Sequence, residues 1–136
     1  MSDNNIYKGR FQITSWDENT YATMPGGSKQ THAKITQQYD GAVTGDANVN
    51  YLMTYLSDDH ALFVGFEVIN ITIGQLNGTL TLQHNGEYQN HIASSNFTVV
   101  VDSGTGDFKG STGQGCFKTA DNGQANYALS LSIATT

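Results

Sequence analysis

The stretch Phe63-Val64-Gly65-Phe66-Glu67, together with Leu82-Gln83-His84-Asn85-Gly86, decides how this sequence folds. Both segments have the apolar and alternating residues of β-strands, and the Gly and Asn residues between them are typical of a turn. A carboxylate, Glu67, and an imidazole, His84, interrupt the otherwise apolar pattern. The stretch therefore predicts a β-hairpin and provides the first candidates for chemistry.

The register of this hairpin depends on which residues form its turn. A two-residue turn at Gly74-Gln75 places Gly65 opposite His84, so Glu67 and His84 become diagonal neighbours roughly 7–8 Å apart at the backbone. A turn at Asn77-Gly78 slides them apart along the strands. Both turns leave the two side chains on one face of the sheet. The Thr and Gln residues of the second strand alternate onto the opposite face, so the face that carries Glu67 and His84 is the apolar one.

Alternation continues along the whole chain, and helical periodicity is nearly absent. It predicts eight strands at about Tyr7–Trp16, Lys29–Tyr39, Val43–Leu56, Ala61–Ile73, Thr79–Glu87, Ile92–Val101, Thr112–Thr119 and Ala125–Ile133. Strands spaced by roughly a dozen residues without intervening helices are antiparallel neighbours, and closing such a sheet removes its edges. We expect an all-β, eight-stranded antiparallel up-and-down barrel made by residues 1–136 as a single domain, with residues 1–5 flexible and a loop at 19–28.

The composition limits the classes of function. The chain of 136 residues has a net charge of -6 and only six Lys and Arg, which cannot form the clustered cations that nucleic acid or an anionic membrane requires. Cys116 is the single cysteine, so no intramolecular disulfide can form. The start of the chain has no signal-peptide pattern, and no apolar run approaches about 18 residues. We expect a cytoplasmic protein without nucleic-acid or membrane partners.

Other motifs predict no separate chemistry. The four His have no metal-ligand spacing, and no Ser lies in a nucleophile elbow. Gly104-Thr105-Gly106 lacks the Lys and the following helix of a phosphate-binding loop, so it predicts a tight turn with close strand packing. We expect neither a metal nor a cofactor.

Five motifs resemble one family of small bacterial proteins. They are Ser15-Trp16-Asp17-Glu18, Tyr51-Leu52-Met53-x-Tyr55, Phe63-Val64-Gly65-x-Glu67, Leu82-Gln83-His84-x-Gly86 and Gly104-Thr105-Gly106-x-Phe108-x-Gly110. On these residues the chain is similar to the DUF3224 family, from about Gly9 to Leu131. That family is similar in fold to the allene oxide cyclase and dirigent-type barrels, so the resemblance implies a closed barrel with an internal cavity. It implies no catalytic residue, because the cyclase motif does not match residue by residue.

The candidate site is the predicted barrel interior. Its residues are Trp16, Tyr51, Met53, Tyr55, Phe63, Glu67, Leu82 and His84 as ligand contacts, with Glu67 and His84 also as a hypothetical catalytic pair. A desolvated carboxyl and imidazole can transfer a proton or orient a polar group of a ligand. The structural alternative is a buried hydrogen bond, or a face hidden in a subunit interface.

Three functions remain open at this point. The first is binding of a small, largely apolar ligand, which predicts an interior cavity on the order of 300 Å³ or more. The second is an isomerase or cyclase acting on a lipid-like substrate, which requires the acid–base pair to face a solvent-reachable cavity. The third is a structural or protein-interaction module with a filled barrel. In every case the strands from Leu52 to Val68, apolar on both faces, predict a homo-oligomer, either a dimer or a trimer.

Overall fold

The computed structural model of the protein describes residues 2–119 and 124–134. Eight strands form a closed barrel in which each strand is antiparallel to the next and the last pairs with the first. The strands are β1 (Ser2–Thr23), β2 (Lys29–Gly41), β3 (Thr44–Ser57), β4 (His60–Ile73), β5 (Leu76–Gln89), β6 (Ile92–Val99), β7 (Thr112–Thr119) and β8 (Gln124–Ala134). The predicted fold class is confirmed. No helix in the described ranges is long and apolar enough to cross a membrane.

Strand β1 differs most from its prediction. Residues 2–5, expected to be flexible, pair with residues 131–134 of β8, and residue 1 lies outside the described ranges. Residues 19–23, expected to be a loop, continue the ladder with β2 until Thr23 faces Lys29. Strand β1 extends this far because the backbone groups of β2, back to its first residue Lys29, are available to pair with it.

The barrel interior is filled by side chains. The bulky residues that occupy it include Phe11, Tyr51, Met53, Phe63, Phe97 and Phe117, all buried. The void found among them measures about 20 Å³, far below the expected cavity and room for about one water molecule. The family resemblance implied an internal cavity. That expectation is wrong, because large side chains occupy the narrow interior of this eight-stranded barrel.

One end of the barrel is closed by the segment between β6 and β7. Strand β6 has 8 residues against 14 in β5, so the segment that follows β6 takes over the pairing with β5. The Thr105 amide donates to the Thr79 carbonyl at 3.0 Å, and Phe108 is fully buried below it. A Cβ at Gly78 would lie 2.0 Å from the Thr105 carbonyl oxygen. The close packing predicted for Gly104-Thr105-Gly106 is confirmed.

Candidate functional site

Glu67 and His84 meet inside the barrel. Ile73 faces Leu76 across the Gly74-Gln75 turn, which confirms the first of the two predicted registers and places Gly65 opposite His84. His84 Nε2 lies 2.7 Å from Glu67 Oε1, and both side chains are 0% exposed. The sequence therefore predicted both the pairing and the face.

Further side chains complete a buried polar network around this pair. Glu67 Oε2 accepts hydrogen bonds from Gln37 Nε2, at 2.9 Å, and from the Tyr39 hydroxyl. His84 Nδ1 lies 2.9 Å from Ser95 Oγ. Both ring nitrogens of His84 therefore have a hydrogen-bond partner, and the Ser95 hydroxyl also lies 3.2 Å from the Asn96 carbonyl oxygen, to which it can donate. The carboxylate and the imidazole are thus fully hydrogen-bonded without any ligand.

Sequence reasoning missed three members of this network: Gln37, Tyr39 and Ser95. The alternation nevertheless contained the signal. Gln37 and Tyr39 continue the odd-numbered inner face that begins in β2 at Thr31, and Ser95 precedes the inward Phe97 by two residues in β6. A buried carboxylate needs several donors, so polar residues on inner faces were the ones to search for.

The network also affects the tyrosines that face it. Burial raises the pKa of Tyr39 well above its ordinary value, and the charge of Glu67 raises it further. Burial and the same charge raise the pKa of Tyr51 in the same way. Both phenols therefore stay protonated, and Tyr39 remains a hydrogen-bond donor to Glu67 over the physiological pH range.

The pair is close enough for proton transfer, but both side chains are fully buried in this conformation. Neither side chain has exposed surface, and the small void is lined instead by residues such as Gln37, Tyr51 and Met53. The enzyme hypothesis required a solvent-reachable space at Glu67 and His84. His84 is among the residues that border an open space on the outer wall, but its side chain and that of Glu67 have no exposed surface. A catalytic role for the two residues stays a prediction.

The other predicted ligand contacts fall into two groups. Tyr51, Met53, Phe63 and Leu82 are buried beside the network and pack on one another. The Tyr51 ring lies 4.5 Å from the Phe63 ring and 5.4 Å from the His84 ring, centroid to centroid. The structure therefore brings these residues together, as a packed core. Trp16 and Tyr55 instead lie toward one end of the barrel.

Trp16 and Tyr55 belong to a second polar cluster, centred on Glu18. A register shift between Ile13 and Ser15 moves the side chains after it to the opposite face of β1. Glu18 is therefore the strand partner of the buried Ala33 of β2. Glu18 Oε2 accepts from Thr31 Oγ1 and from the Tyr55 hydroxyl, each at 2.6 Å, and Oε1 accepts from Trp16 Nε1 at 3.0 Å. Sequence reasoning missed Glu18 and Thr31 as its members.

These contacts stabilise the charged form of the Glu18 carboxyl group. Partial burial alone would raise the pKa of Glu18, but the hydrogen bonds from Thr31, Tyr55 and Trp16 outweigh it, and Lys29 adds a favourable charge. The pKa of Glu18 therefore lies below its ordinary value. Burial and the hydrogen bond to Glu18 raise the pKa of Tyr55, so this phenol stays a donor.

A large open space lies on the outside of the barrel wall. A groove of about 1000 Å³ crosses the outer face, and its apolar part includes Leu52, Val64 and Phe66. Its polar part has no Lys, Arg, Asp or Glu among the lining residues and includes His32, Gln83 and Asn85. Val64 and Phe66 are each 52% exposed, which is unusual for apolar residues in the middle of a strand.

Comparison with known proteins agrees with this architecture. The model of a family described as "Protein of unknown function (DUF3224)" matches residues 7–131. The chain belongs to the DUF3224 family. A crystal structure of a DUF3224 protein of unknown function from Shewanella oneidensis MR-1 superposes with a TM-score of 0.82 and 22% sequence identity, covering 98% of this chain and 100% of that one. At this identity the likeness shows the shared fold. No curated protein matches the chain.

Two remaining features of this DUF3224 chain complete the survey of sites. In the part that the structure describes, no three His, Cys, Asp or Glu side chains come together in a way that could hold a metal ion. Cys116 is exposed and contributes to the outer groove. The described residues therefore form three candidate sites: the outer groove, the Glu67 network and the Glu18 cluster.

Proposed function

We propose that this DUF3224 protein is a non-enzymatic interaction module: a filled barrel that binds its partner on the outside of its wall. The observation that carries the proposal is the location of the free space. The interior void measures about 20 Å³, whereas the outer groove measures about 1000 Å³. Of these two spaces in the described part of the chain, the outer groove has room for a partner without rearrangement of the barrel.

The chemistry of the groove supports a protein partner. Its lining combines exposed apolar side chains with uncharged amides. Interface cores have this composition, with large apolar residues enriched and charged residues depleted. A nucleic acid or an anionic membrane would require cations that the groove lacks.

The buried network has a structural role under this proposal. In a β-strand, neighbouring side chains point to opposite faces, so a slip of one residue would turn the outer residues inward. Glu67 is held inside by three hydrogen-bond donors, which fixes Phe66 and Val68 on the outside. The network thereby keeps the outer surface of β4 in place.

The interior-ligand hypothesis has less support. A small apolar ligand in the barrel would have to displace core side chains such as Met53 and Phe63, each 3% exposed. Overpacking a close-packed core costs about 1–3 kcal/mol even for a few added methylenes. Such a ligand would therefore need a second conformation of the barrel.

The proposal is tested by native mass spectrometry of the full chain purified gently from its own cells. We compare the wild type with Val64→Asp in the groove and with Val101→Asp, a matched exposed valine outside it. We expect a bound protein mass, either a second copy or another chain, that is retained by Val101→Asp and lost in Val64→Asp.

Two results would overturn the proposal. One is a small molecule retained by both variants, which would place the ligand inside the barrel. The other is a bare single chain in all three samples, which would show that the wall has no partner.

A further inference from the structure

We propose that the partner is a second copy of this chain, bound in a two-fold symmetric dimer. Its centre is the β4 ridge, defined as the outward side chains Leu62, Val64, Phe66 and Val68. This inference rests on the proposed function, since it names the occupant of the same outer surface.

The ridge is formed by four consecutive outward positions of β4. Each of its residues is between 43% and 52% exposed, while the alternate residues from Ala61 to Ile69 lie on the inner face. At about 3.3 Å per residue the ridge is about 20 Å long. Leu52 of β3 lies opposite Val64 and widens it. Four apolar side chains in succession on a solvated strand face depart from the usual alternation of apolar and polar faces.

The area of this surface fits a stable dimer. Five half-exposed side chains of this size together expose on the order of 400–500 Å², which is the size of the largest apolar patch on a typical monomer, a patch that is often functional. With a surrounding polar rim, the face approaches the roughly 800 Å² per partner of a standard interface. The side-chain amides of Gln83 and Asn85 line this rim. They make no hydrogen bond with another described residue, so they are available to a partner.

The distribution of charge favours a second copy over a chain of opposite charge. The protein carries a net charge of -6, so two copies repel each other unless they meet at a neutral surface. The ridge and its flanking residues Asn50 and Gln83 are neutral. Glu87, beside Leu62 at one end, is paired with His60 at 2.8 Å. A basic partner would find no acidic patch here.

The shape of the surface is complementary to itself. Leu52 and Val64 stand between the large groove and a second depression of about 300 Å³ on the other side, which Leu62 also lines. A ridge beside grooves can pack into the same arrangement on a second copy turned by a half rotation. Two such sheets stack about 10 Å apart with their side chains interdigitated.

The first test measures the association of the purified chain alone, by sedimentation equilibrium from about 1 to about 100 μM, a range in which dimers of this interface size associate. We expect a dimer for the wild type and for Val101→Asp. In Val64→Asp the dissociation constant should rise by at least about 100-fold, because two unpaired carboxylates would be buried near the symmetry axis.

A milder variant controls for folding. Val64→Thr keeps the shape and β-propensity of valine and adds only a hydroxyl, so its dissociation constant should rise less than that of Val64→Asp. Circular dichroism confirms that each variant remains folded. A monomeric wild type, or a dimer that survives Val64→Asp, would overturn the inference.

The second test examines the symmetry. Cys116 is the only native thiol. Because it lines the outer groove, the Cys116→Ser background is first compared with the wild type by sedimentation equilibrium, and it then carries Val64→Cys, Phe66→Cys or Val101→Cys. In a two-fold interface, a residue at the axis lies next to its own copy and can form a disulfide with it. We expect linked dimers for Val64→Cys or Phe66→Cys under mild oxidation and none for Val101→Cys. Absence of a linked dimer from both ridge variants would overturn the two-fold arrangement.

These outcomes separate the inference from the proposed function. If the purified chain is monomeric while a different protein co-purifies in a Val64-dependent way, the inference fails and the proposed function stands. If a small molecule is retained by every variant and the chain is monomeric, both fail.

Discussion

Glu67 shows how one residue can link the inside of the barrel to its outside. Its carboxylate is fully buried and accepts hydrogen bonds from Gln37, Tyr39 and His84. Buried charge is costly unless it is paired and hydrogen-bonded, and here both conditions are met. Because Glu67 precedes Val68 and follows Phe66, its inward position determines which side chains face a partner.

Replacement of Glu67 tests this role. Glu67→Ala leaves three buried groups without their acceptor, so we expect the free energy of unfolding to fall by about 3–5 kcal/mol. Glu87→Ala is the matched control, since Glu87 also pairs with a histidine but lies half-exposed, and its loss should be below about 1 kcal/mol. Urea unfolding at neutral pH measures both. Equal losses in the two variants would contradict a special role for the network.

The contact between Glu67 and His84 could be predicted from sequence because two features determine it. One is the alternation of side chains between the two faces of each strand, and the other is the register that the Gly74-Gln75 turn sets. Their remaining partners, Gln37 and Ser95, were harder to foresee. Ser95 lies on β6, which pairs with β5, and it is a diagonal neighbour of His84 once the register of that hairpin is known. Gln37 lies on β2, which is separated from β4 by β3, so its approach to Glu67 depends on strand tilt around the closed barrel, which no local pattern records.

The β1 strand shows the limit of alternation at the scale of an element. Two hydroxyls, on Thr14 and Ser15, both lie 2.6 Å from Thr36 Oγ1, where the register shifts by one residue. A β-bulge of this kind reverses the parity of everything that follows it. Trp16 and Glu18 therefore follow the inner face near the end of the barrel, where Trp16 borders the interior void but is still 45% exposed. The odd-numbered pattern of Phe11 and Ile13 does not predict this.

The Glu18 cluster makes the end of the β1–β2 hairpin sensitive to acid. The folded-state pKa of Glu18 is lowered, so its contribution to stability is present above the unfolded value of about 4.3 and is lost as the pH falls through the lower folded value. Trp16 is the single tryptophan and donates to this carboxylate. We expect its fluorescence to change below pH ~4.3 in the wild type, before global unfolding, because protonation weakens this hydrogen bond.

Glu18→Gln supplies the control for the acid response. The amide keeps the shape of the side chain but cannot titrate, so the low-pH change in Trp16 emission should disappear. Far-ultraviolet circular dichroism recorded in parallel shows whether the barrel remains intact. A fluorescence change of equal size in Glu18→Gln would show that another group controls this end of the barrel.

Pairing of β4 with β5 depends on a glycine that makes room for an aromatic ring. Phe63 lies opposite Gly86, where a Cβ would come within 2.2 Å of the Phe63 ring and 2.5 Å of the Ser94 carbonyl oxygen. We expect Gly86→Ala to lower the free energy of unfolding by about 1–3 kcal/mol through overpacking. In the Phe63→Leu background the same change should cost less, because part of the clash is removed. A double-mutant cycle in urea measures this coupling, and strict additivity would contradict it.

At the scale of the whole molecule, the fold was easier to predict than the contents of the barrel. Eight alternating segments without helices leave few arrangements other than an antiparallel barrel. Alternation says which side chains point inward, but it does not say how much volume they fill. That volume depends on the tilt of the strands and on residues of non-adjacent strands that meet in the interior, such as Phe11 and Phe117, whose ring centroids lie 5.2 Å apart. The expected cavity failed for this reason.

A dimer through the β4 ridge would make the stability of the whole molecule depend on its concentration. When folding and association are coupled, raising the protein concentration favours the associated folded state by mass action. For two chains of this length, each tenfold increase should raise Tm by about 2–3 °C, since the shift in free energy is about 1.4 kcal/mol. We expect this dependence in the wild type and in Val101→Asp, measured by scanning calorimetry over two decades of concentration. Val64→Asp should show a constant Tm, because its monomer unfolds alone. A wild-type Tm that does not change with concentration would mean that the barrel is stable without a copy of itself, and the ridge would then have to serve another partner.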